Sequence, residues 1–368
     1  MPKQEMSNLD YHYLQRELQS LVDARLTKVH ELRPGVFRFQ FHSSGQGRAD
    51  LLVELGVRAH LTRRIEEAPE QPTHFAMLLR SKLGNARLKA VQQLEFDRLL
   101  SLLFDTKHGL RSILFELLPG GNVLLLDSQN TIMAVHTPKS FETRSLKRGA
   151  PYQPPPARGK LPSEITPEDL EALEGKLRPT LSKLVRLPPF YLEEVCARAG
   201  VDPKGKAELF PAARESLVHE FHSLLEQTPS PRVYRSENEP VAFAPFELRK
   251  LELPAEQFDS FSEALDNYYS HGLAAIAPVA RPADKARTRV EKALEEQKKM
   301  IGKFEEQAAE MQAVGEKLFR QSTLVERALE IARKLKAEPV ETVQEVILRE
   351  TGLRVKVQKG ELELELGN

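Results

Sequence analysis

An acid and a base stand side by side in the otherwise largely apolar segment QQLEFDRLLSLLF, residues 92–104. Asp97 and Arg98 interrupt a pattern that predicts a strand beginning at Phe96. A charged pair in such a segment has three interpretations: a surface turn, a structural ion pair or a ligand-binding group. Residue type alone favours the two structural interpretations over the ligand site.

Basic residues are concentrated in two stretches of the chain. Residues 73–98 and 139–160 each carry more cations than acids, the cations being Arg80, Lys82, Arg87, Lys89 and Arg98, then Lys139, Arg144, Lys147, Arg148, Arg158 and Lys160. Such stretches suit a phosphate backbone, because each cation neutralises one phosphate and releases counterions. Charge alone still favours solvated faces, so both interpretations stay open.

Composition excludes several classes of protein. The 368 residues carry 53 basic and 53 acidic side chains, so net charge indicates nothing about nucleic acid. The longest apolar runs fall well short of the ~20 residues that span a bilayer, and the N-terminus is polar, which predicts a soluble cytoplasmic protein with no membrane partner. One cysteine, ten scattered histidines and the lack of phosphate-loop or hydrolase motifs predict no metal, no cofactor and no disulfide.

The hydrophobic pattern predicts an α+β fold of antiparallel strands with helices. Helical spacing runs through residues 7–32, and Thr73 after Pro72 predicts the start of a second helix that ends near residues 84–85. Seven further short segments alternate or are apolar as strands do: VFRFQF, DLLVEL, AHLT, ARLKAVQQL, LRSILFEL, NVLLLD and TIMAV. The paired glycines before NVLLLD predict a hairpin turn.

Composition also divides the chain into five predicted regions. Residues 1–160 form the N-terminal domain, closed by a Pro-rich boundary, and residues 161–228 form a helical module. Residues 229–282 read as an extended segment that packs back on the N-terminal region. Residues 283–337 predict a charged coiled-coil arm, and residues 338–368 a small middle domain ending in a hairpin.

Several motifs occur together in a characteristic order. They are MSNLDYHYLQRELQ, PTHFAMLLRSKL, EFDRLL, GGNVLLLD, RGAPYQPPP and YLEEVCARAGVD. Over roughly residues 6–335 the chain resembles the NFACT family, which includes the NEMF and RqcH proteins and proteins once labelled fibronectin-binding. The forms of these motifs are most similar to archaeal members.

The resemblance implies a fold and a function. The N-terminal domain would resemble formamidopyrimidine-DNA glycosylases, followed by a helix-hairpin-helix-like module. The protein would bind the large ribosomal subunit carrying stalled peptidyl-tRNA and recruit tRNA, alanyl-tRNA above all, for mRNA-independent tailing of the nascent chain. The ribosome performs the chemistry, so the protein would not be an enzyme. The alternatives are a fibronectin-binding protein of the extracellular matrix and a DNA-binding protein of glycosylase fold without catalysis.

The resemblance also implies site residues. Asp10, Asp97 and Arg98 match the positions that handle tRNA in the family, and Arg80 and Lys82 would hold the RNA backbone beside them. Arg98 would donate paired hydrogen bonds to a phosphate or base edge. Candidate phosphate contacts at the periphery are Arg87, Lys89, Arg144, Lys147 and Arg148.

Three departures from the family pattern matter. Pro2 stands where a glycosylase has its nucleophile, but the adjacent glutamate and the zinc-finger cysteines are missing. Pro188 and Pro189 replace the glycines whose N–H groups would meet phosphate, so we expect the helical module to pack rather than bind RNA. The predicted arm has no returning helix within the chain, and we expect a separately encoded C-terminal half to complete it, unless the protein is a reduced form.

Overall fold

The computed structural model describes residues 2–45, 47–272, 282–358 and 361–365. The chain divides into two compact units, Met1–Arg281 and Pro282–Asn368. The first unit carries a large antiparallel sheet in its N-terminal part and helical segments after it, which is an α+β architecture. The fold class predicted from the hydrophobic pattern is therefore confirmed at this level.

One antiparallel sheet of nine strands dominates the described part of the first unit, in the order β4-β3-β2-β1-β5-β6-β7-β8-β9. The strands are β1 (Arg25–Arg33), β2 (Val36–Ser43), β3 (Gly47–Glu54), β4 (Arg58–Thr62), β5 (Arg87–Gln93), β6 (Leu99–Thr106), β7 (Gly109–Glu116), β8 (Asn122–Leu126) and β9 (Ile132–Val135). The ribbon β10 (Lys139–Ser140) and β11 (Ser145–Leu146) follows. Alternation buries Phe37, Phe39 and Phe41 on one face, because successive strand residues point to opposite sides.

Two helices from the N-terminal part of the chain pack on this sheet, which α7 described below also contacts. Helix α1 spans Asn8–Leu18, and α2 spans His74–Leu83. The hydroxyl of Thr73 accepts the N–H of Ala76, so the predicted cap of α2 is confirmed, and the helix ends at Gly84 as expected.

The predicted helix over residues 7–32 is wrong beyond Leu21. A short 3₁₀ turn, Gln19–Leu21, ends the helical part, and residues from Arg25 onward form β1. The pairing of β1 with β2 shifts between Leu26 and Lys28, so an extra residue separates the buried Leu26 from the buried Val29. This β-bulge gives a strand the three-residue apolar spacing that normally indicates a helix.

Helices dominate the next part of the unit. These are α3 (Pro167–Glu171), α4 (Leu177–Leu184), α5 (Pro189–Ala199) and α6 (Pro211–Glu226), followed by the strands β12 (Arg232–Ser236), β13 (Glu239–Ala244) and β14 (Ala255–Gln257) and by α7 (Phe261–Gly272). Helix α6 begins at Pro211, because proline suits the first turn of a helix, where its missing N–H has no intrahelical partner. A single buried cluster includes residues from the sheet, from these helices and from residues 233–269.

The second unit has its own small core. It contains α8 (Pro282–Arg320), α9 (Ser322–Lys334), α10 (Val340–Thr351), β15 (Arg354–Gln358) and β16 (Glu361–Glu365). Residues of α9, α10 and β15 form the core, while the described side chains of α8 from residue 296 onward are exposed. The antiparallel pairing of β15 with β16 confirms the predicted terminal hairpin, and its turn at residues 359–360 lies outside the described residues.

Candidate functional site

The Asp97–Arg98 pair lies in the turn that joins β5 to β6. Residues 94–98 form this turn, in which Glu95 and Phe96 adopt positive φ angles of 54° and 45° that L-residues rarely take. The Asp97 carboxylate accepts the backbone N–H of Arg98 at 2.7 Å. The predicted strand therefore begins three residues late, because the turn conformation extends through Arg98.

Two other elements hold this turn. Gln93 donates through its side-chain amide to the carbonyls of Asn8 (2.7 Å) and Asp97 (2.8 Å), which ties the turn to the start of α1. Arg186, between α4 and α5, donates to the carbonyl of Glu95 at 2.5 Å. The side chain of Asn8 donates in turn to the carbonyl of Arg186 at 2.7 Å. The turn is thus fixed from both sides by residues far away in the chain.

Arg98 pairs with a distant surface acid. Its guanidinium lies 3.0 Å from the carboxylate of Glu5, while its neighbour Asp97 is engaged with the backbone. The Arg98 side chain is 16% exposed and that of Glu5 50% exposed. Ion pairs with an exposed partner contribute only ~0–1 kcal/mol, so a stronger anion can replace Glu5 at this guanidinium.

A buried tyrosine, Tyr11, feels the charge of the same guanidinium. Burial raises the pKa of Tyr11 well above 10, and the positive charge of Arg98 opposes that shift. Within the described part of the chain the Tyr11 hydroxyl has no hydrogen-bond partner. We call Glu5, Tyr11, Asp97 and Arg98 the Arg98 corner. It combines a partly exposed cation, a replaceable acid and an unsatisfied hydroxyl.

Asp10 lies in the interior and not on this surface. Its side chain is fully buried and accepts from the Lys3 ammonium at 2.8 Å and from the Tyr191 hydroxyl at 2.6 Å. The hydroxyl and N–H of Ser7 donate to the same carboxylate. An external ligand cannot reach Asp10 here, so we assign it a supporting role in place of the RNA contact expected from the sequence.

The ammonium of Lys3 occupies an aromatic cage beside Asp10. It lies 4.1 Å from the centre of the Phe243 ring and 4.7 Å from that of Tyr191. Burial lowers the pKa of Lys3 to about 8, although the neighbouring Asp10 opposes this shift. The cage fastens the irregular N-terminal segment to α5 and to β13.

Arg80 and Lys82 of α2 have different surroundings. Arg80 donates to the carbonyl of Val29 at 2.7 Å and lies 3.1 Å from the ring nitrogen of His30, so it is fastened to β1. The exposed Lys82 lines a groove of about 620 Å³ between α2 and β9, and Arg148 lines the same groove. The structure thus brings two predicted cations together there and separates Arg80 from them.

Arg144 is already engaged by a buried acid. Its side chain is 8% exposed and its guanidinium is paired with Glu116, which also accepts from the Tyr152 hydroxyl at 3.1 Å. Because this ion pair occupies the Arg144 guanidinium, the structure does not support the phosphate contact predicted at Arg144. Lys147 and Arg148, by contrast, are exposed.

The remaining predicted cations lie at the far end of β6. Arg87 and Lys89 line a groove of about 380 Å³ together with Lys107, which precedes the start of β7. Arg98 immediately precedes β6 and Lys107 immediately follows it. Eight strand residues at ~3.3 Å each place the two ends about 25–30 Å apart. The predicted site residues therefore form separate surfaces.

Sequence reasoning missed four members of these surfaces. Glu5 and Tyr11 lie about 90 positions from Arg98 in the chain. Arg25 joins Arg87 through strand pairing, and Lys107 lines the same groove from the turn after β6. No local pattern signals such contacts, although the acid at Glu5 is visible in the printed sequence.

Two features are absent from the described residues, a cluster of metal ligands and a membrane-spanning helix. There, no group of three or more His, Cys, Asp or Glu side chains is arranged to hold a metal ion. In that same part of the chain, no helix is both long and apolar enough to cross a membrane.

The fold and the site define an α+β protein whose N-terminal sheet carries a cationic corner and further basic grooves. A family model described as NFACT N-terminal and middle domains matches residues 7–329. The chain belongs to this family, and the resemblance seen in its motifs is confirmed.

Curated relatives include two proteins that match over most of this chain. The archaeal Rqc2 homolog aRqcH of Methanocaldococcus jannaschii is 27% identical over 363 residues, which cover 90% of this chain and 52% of the relative. Rqc2 homolog RqcH of Bacillus subtilis is 26% identical, covering 68% of this chain and 46% of the relative. The chain thus spans about half the length of these relatives.

Two solved structures share the fold over 72% of this chain. The fibrinogen binding protein from Staphylococcus aureus superposes with a TM-score of 0.61 at 19% identity, covering 72% of this chain and 98% of that one. The N-terminal part of the fibronectin/fibrinogen-binding protein from Streptococcus suis gives 0.60 at 20% identity, covering 72% and 99%.

Proposed function

We propose that this chain is a tRNA-binding factor of ribosome-associated quality control. It binds the large ribosomal subunit carrying stalled peptidyl-tRNA in the cytoplasm and recruits tRNA, alanyl-tRNA above all, for mRNA-independent tailing of the nascent chain. Membership of the NFACT family and the relatives named as Rqc2 homologs support this proposal. The chain acts by binding, and the ribosome performs the peptide transfer.

The Arg98 corner is the observation that carries the proposal. Arg98 keeps a partly exposed guanidinium on a fixed turn, and its partner Glu5 is a surface acid. A guanidinium presents donors in a planar fork that matches a phosphate or a guanine edge. Asp97 beside it can accept from a base amino group if its bond to the backbone is exchanged.

The geometry favours an unpaired RNA segment as the ligand. Bases in a loop expose their edges, whereas the deep groove of an RNA helix hides them. A turn that presents one cation and one carboxylate side by side is small enough to read one or two such bases. An anticodon loop is a natural target of this kind.

Two substitutions test the corner. Arg98→Ala should weaken tRNA binding by about 10- to 100-fold, because a hydrogen bond to a charged group contributes ~1.5–3 kcal/mol. Asp97→Asn removes the charge but keeps an oxygen that accepts the backbone N–H of Arg98, so the turn should stay folded. A loss of tRNA binding in this variant would therefore report contact of the Asp97 carboxylate with a base. Fluorescence anisotropy with labelled tRNA measures both affinities.

Arg63→Ala provides the matched control, because Arg63 is 91% exposed and lies outside the corner. The corner assignment is wrong if Arg98→Ala binds tRNA with wild-type affinity. It is also wrong if Arg63→Ala weakens binding as much as Arg98→Ala does. Co-sedimentation of the same variants with split large subunits tests the ribosomal part of the proposal separately.

Binding of fibronectin is the competing function. The Streptococcus suis structure is named for fibronectin and fibrinogen and the Staphylococcus aureus structure for fibrinogen alone, but at 20% and 19% identity they support the fold alone. A purified chain that binds immobilised fibronectin more tightly than tRNA would favour this alternative.

The glycosylase-like fold and DNA binding without catalysis stay predictions from the resemblance. Borohydride trapping of the chain on damaged DNA would overturn the non-catalytic assignment.

A further inference from the structure

We infer that the groove formed by Arg25, Arg87, Lys89 and Lys107 is a second RNA-binding surface, which takes the phosphodiester backbone. This inference rests on the proposed function, because it names RNA as the ligand. It adds a site at the opposite end of β6 from the Arg98 corner. We call these four residues with Asp105 and Thr106 the β6-end groove.

Two arginines face each other across neighbouring strands in this groove. Arg25 of β1 is the direct pairing partner of Arg87 of β5. Like charges directly opposite each other in a sheet destabilise it. Arg87 lies 3.6 Å from Asp23, but both side chains are about half exposed or more, so this pair offsets little of the repulsion. A bound anion would stabilise both arginines at once.

A β-bulge supplies the third cation. In the pairing of β5 with β6, Leu88 lies opposite Phe104 and Ala90 lies opposite Leu103, which leaves Lys89 as the extra residue. Bulges redirect side chains and interrupt pairing at such positions. Lys89 is exposed and lines the groove with Arg87.

The fourth cation comes from an ordered turn. Lys107 lies between β6 and β7, where the hydroxyl of Thr106 donates to the carbonyl of Gly109 at 2.7 Å and accepts from the N–H of His108. These bonds fix the turn that carries the ammonium. Among the described residues, neither Lys89 nor Lys107 has an acid within ion-pair distance, so both ammonium groups can meet a ligand.

The balance of charge favours a polyanion. Four cations line the groove against the single acid Asp105, and Asp23 lies at its margin. This excess stands out because the whole chain has a formal net charge of zero. Each phosphate neutralised by such a cation releases counterions, which is the main source of sequence-independent affinity for nucleic acid.

The lining also selects backbone over bases. It contains no aromatic or large apolar side chain on which a base could stack. Cations without stacking platforms position a phosphate backbone and carry no sequence information. The β6-end groove therefore adds affinity and orientation, while sequence reading belongs to the Arg98 corner some 25–30 Å away, as estimated from the strand rise.

The double variant Lys89→Ala/Lys107→Ala tests this surface in the full chain. Removing two phosphate contacts should reduce the slope of log affinity against log salt by about 1.5. Lowering KCl from about 200 to about 50 mM should then raise wild-type affinity for tRNA about eightfold more than that of the variant. Anisotropy with tRNA and with poly(U) should give the same difference, because the groove reads no bases.

The matched control is Lys183→Ala/Lys204→Ala, which removes the same charge from two exposed lysines of the helical module. It should keep the wild-type salt slope. An equal slope for the groove variant and the wild type overturns the inference, as does tighter binding of poly-glutamate than of poly(U), which would indicate an acidic protein as the ligand.

The two proposals fail in different ways. If Arg98→Ala weakens tRNA binding and the groove variant does not, only the groove is wrong. If the groove variant changes the slope and Arg98→Ala has no effect, only the corner is wrong. A wild-type chain that binds no RNA at 50 mM KCl contradicts both.

Discussion

At the scale of single residues, the ion pair between Arg98 and Glu5 makes the corner a competitive site. The carboxylate of Glu5 occupies the guanidinium that an RNA phosphate or base edge would use. We expect Glu5→Gln to strengthen tRNA binding by about two- to fivefold, because an exposed ion pair is worth up to ~1 kcal/mol. Anisotropy titrations at low and high salt measure the gain, which should shrink as salt screens the charges.

Glu208→Gln serves as the control, because Glu208 is an exposed acid of the helical module and changes the net charge equally. An equal gain in both variants would show that overall charge, and not release of Arg98, strengthens binding. A loss of affinity in Glu5→Gln would mean that Glu5 orients Arg98 and does not compete with the ligand.

The residues of the corner also show where sequence reasoning ends. Asp97 and Arg98 are visible because charge stands out in an apolar segment. The guanidinium of Arg98 pairs with Glu5, which is distant in the chain, and not with its neighbour Asp97. For Asp10 the outcome depended on Lys3 and Tyr191, and no spacing rule links those positions.

At the scale of elements, the sequence predicted correctly those features that depend on neighbouring residues alone, such as helix caps and alternating strands. The cap at Thr73 marks the start of α2, and strict alternation marks β2 and the terminal hairpin. The helix predicted through residue 32 failed because a β-bulge imitates helical spacing. Bulges depend on the partner strand, so a single sequence cannot reveal them.

A buried histidine of β4, His60, where α7 packs on the sheet, predicts a dependence of stability on pH. Burial, and secondarily the positive charge of Arg58, lowers the pKa of His60 to about 4. Between pH 6.5 and about 4 the unfolded state therefore binds a proton that the folded state refuses, so stability falls as the pH decreases through this window. We expect the unfolding free energy of His60→Phe to decrease less than that of the wild type between pH 7 and pH 4.5. Urea denaturation at the two pH values measures both decreases.

His60→Phe also removes the hydrogen bond to the carbonyl of Leu61, which lowers stability at every pH. Only the difference between the two pH values bears on His60, and the exposed His42 provides the control as His42→Phe. The same acid-induced fall in His60→Phe and in the wild type would contradict the assignment. The contribution of His30, whose pKa is also lowered to about 4 chiefly by burial, is present in both proteins.

At the scale of the whole molecule, the separate core of the second unit predicts that this unit responds to mutation on its own. Ile347 is fully buried in the small core of the second unit, where it packs with Ala328, Val343 and Leu353. Ile347→Ala should destabilise that unit by ~2–4 kcal/mol, because it removes buried methyl groups and leaves a cavity. Hydrogen exchange should then speed up in residues 322–358 while residues 8–269 keep their protection.

Affinity for tRNA through the Arg98 corner should stay at the wild-type value, since every residue of that corner belongs to the first unit. Faster exchange throughout both units would instead show that they unfold together.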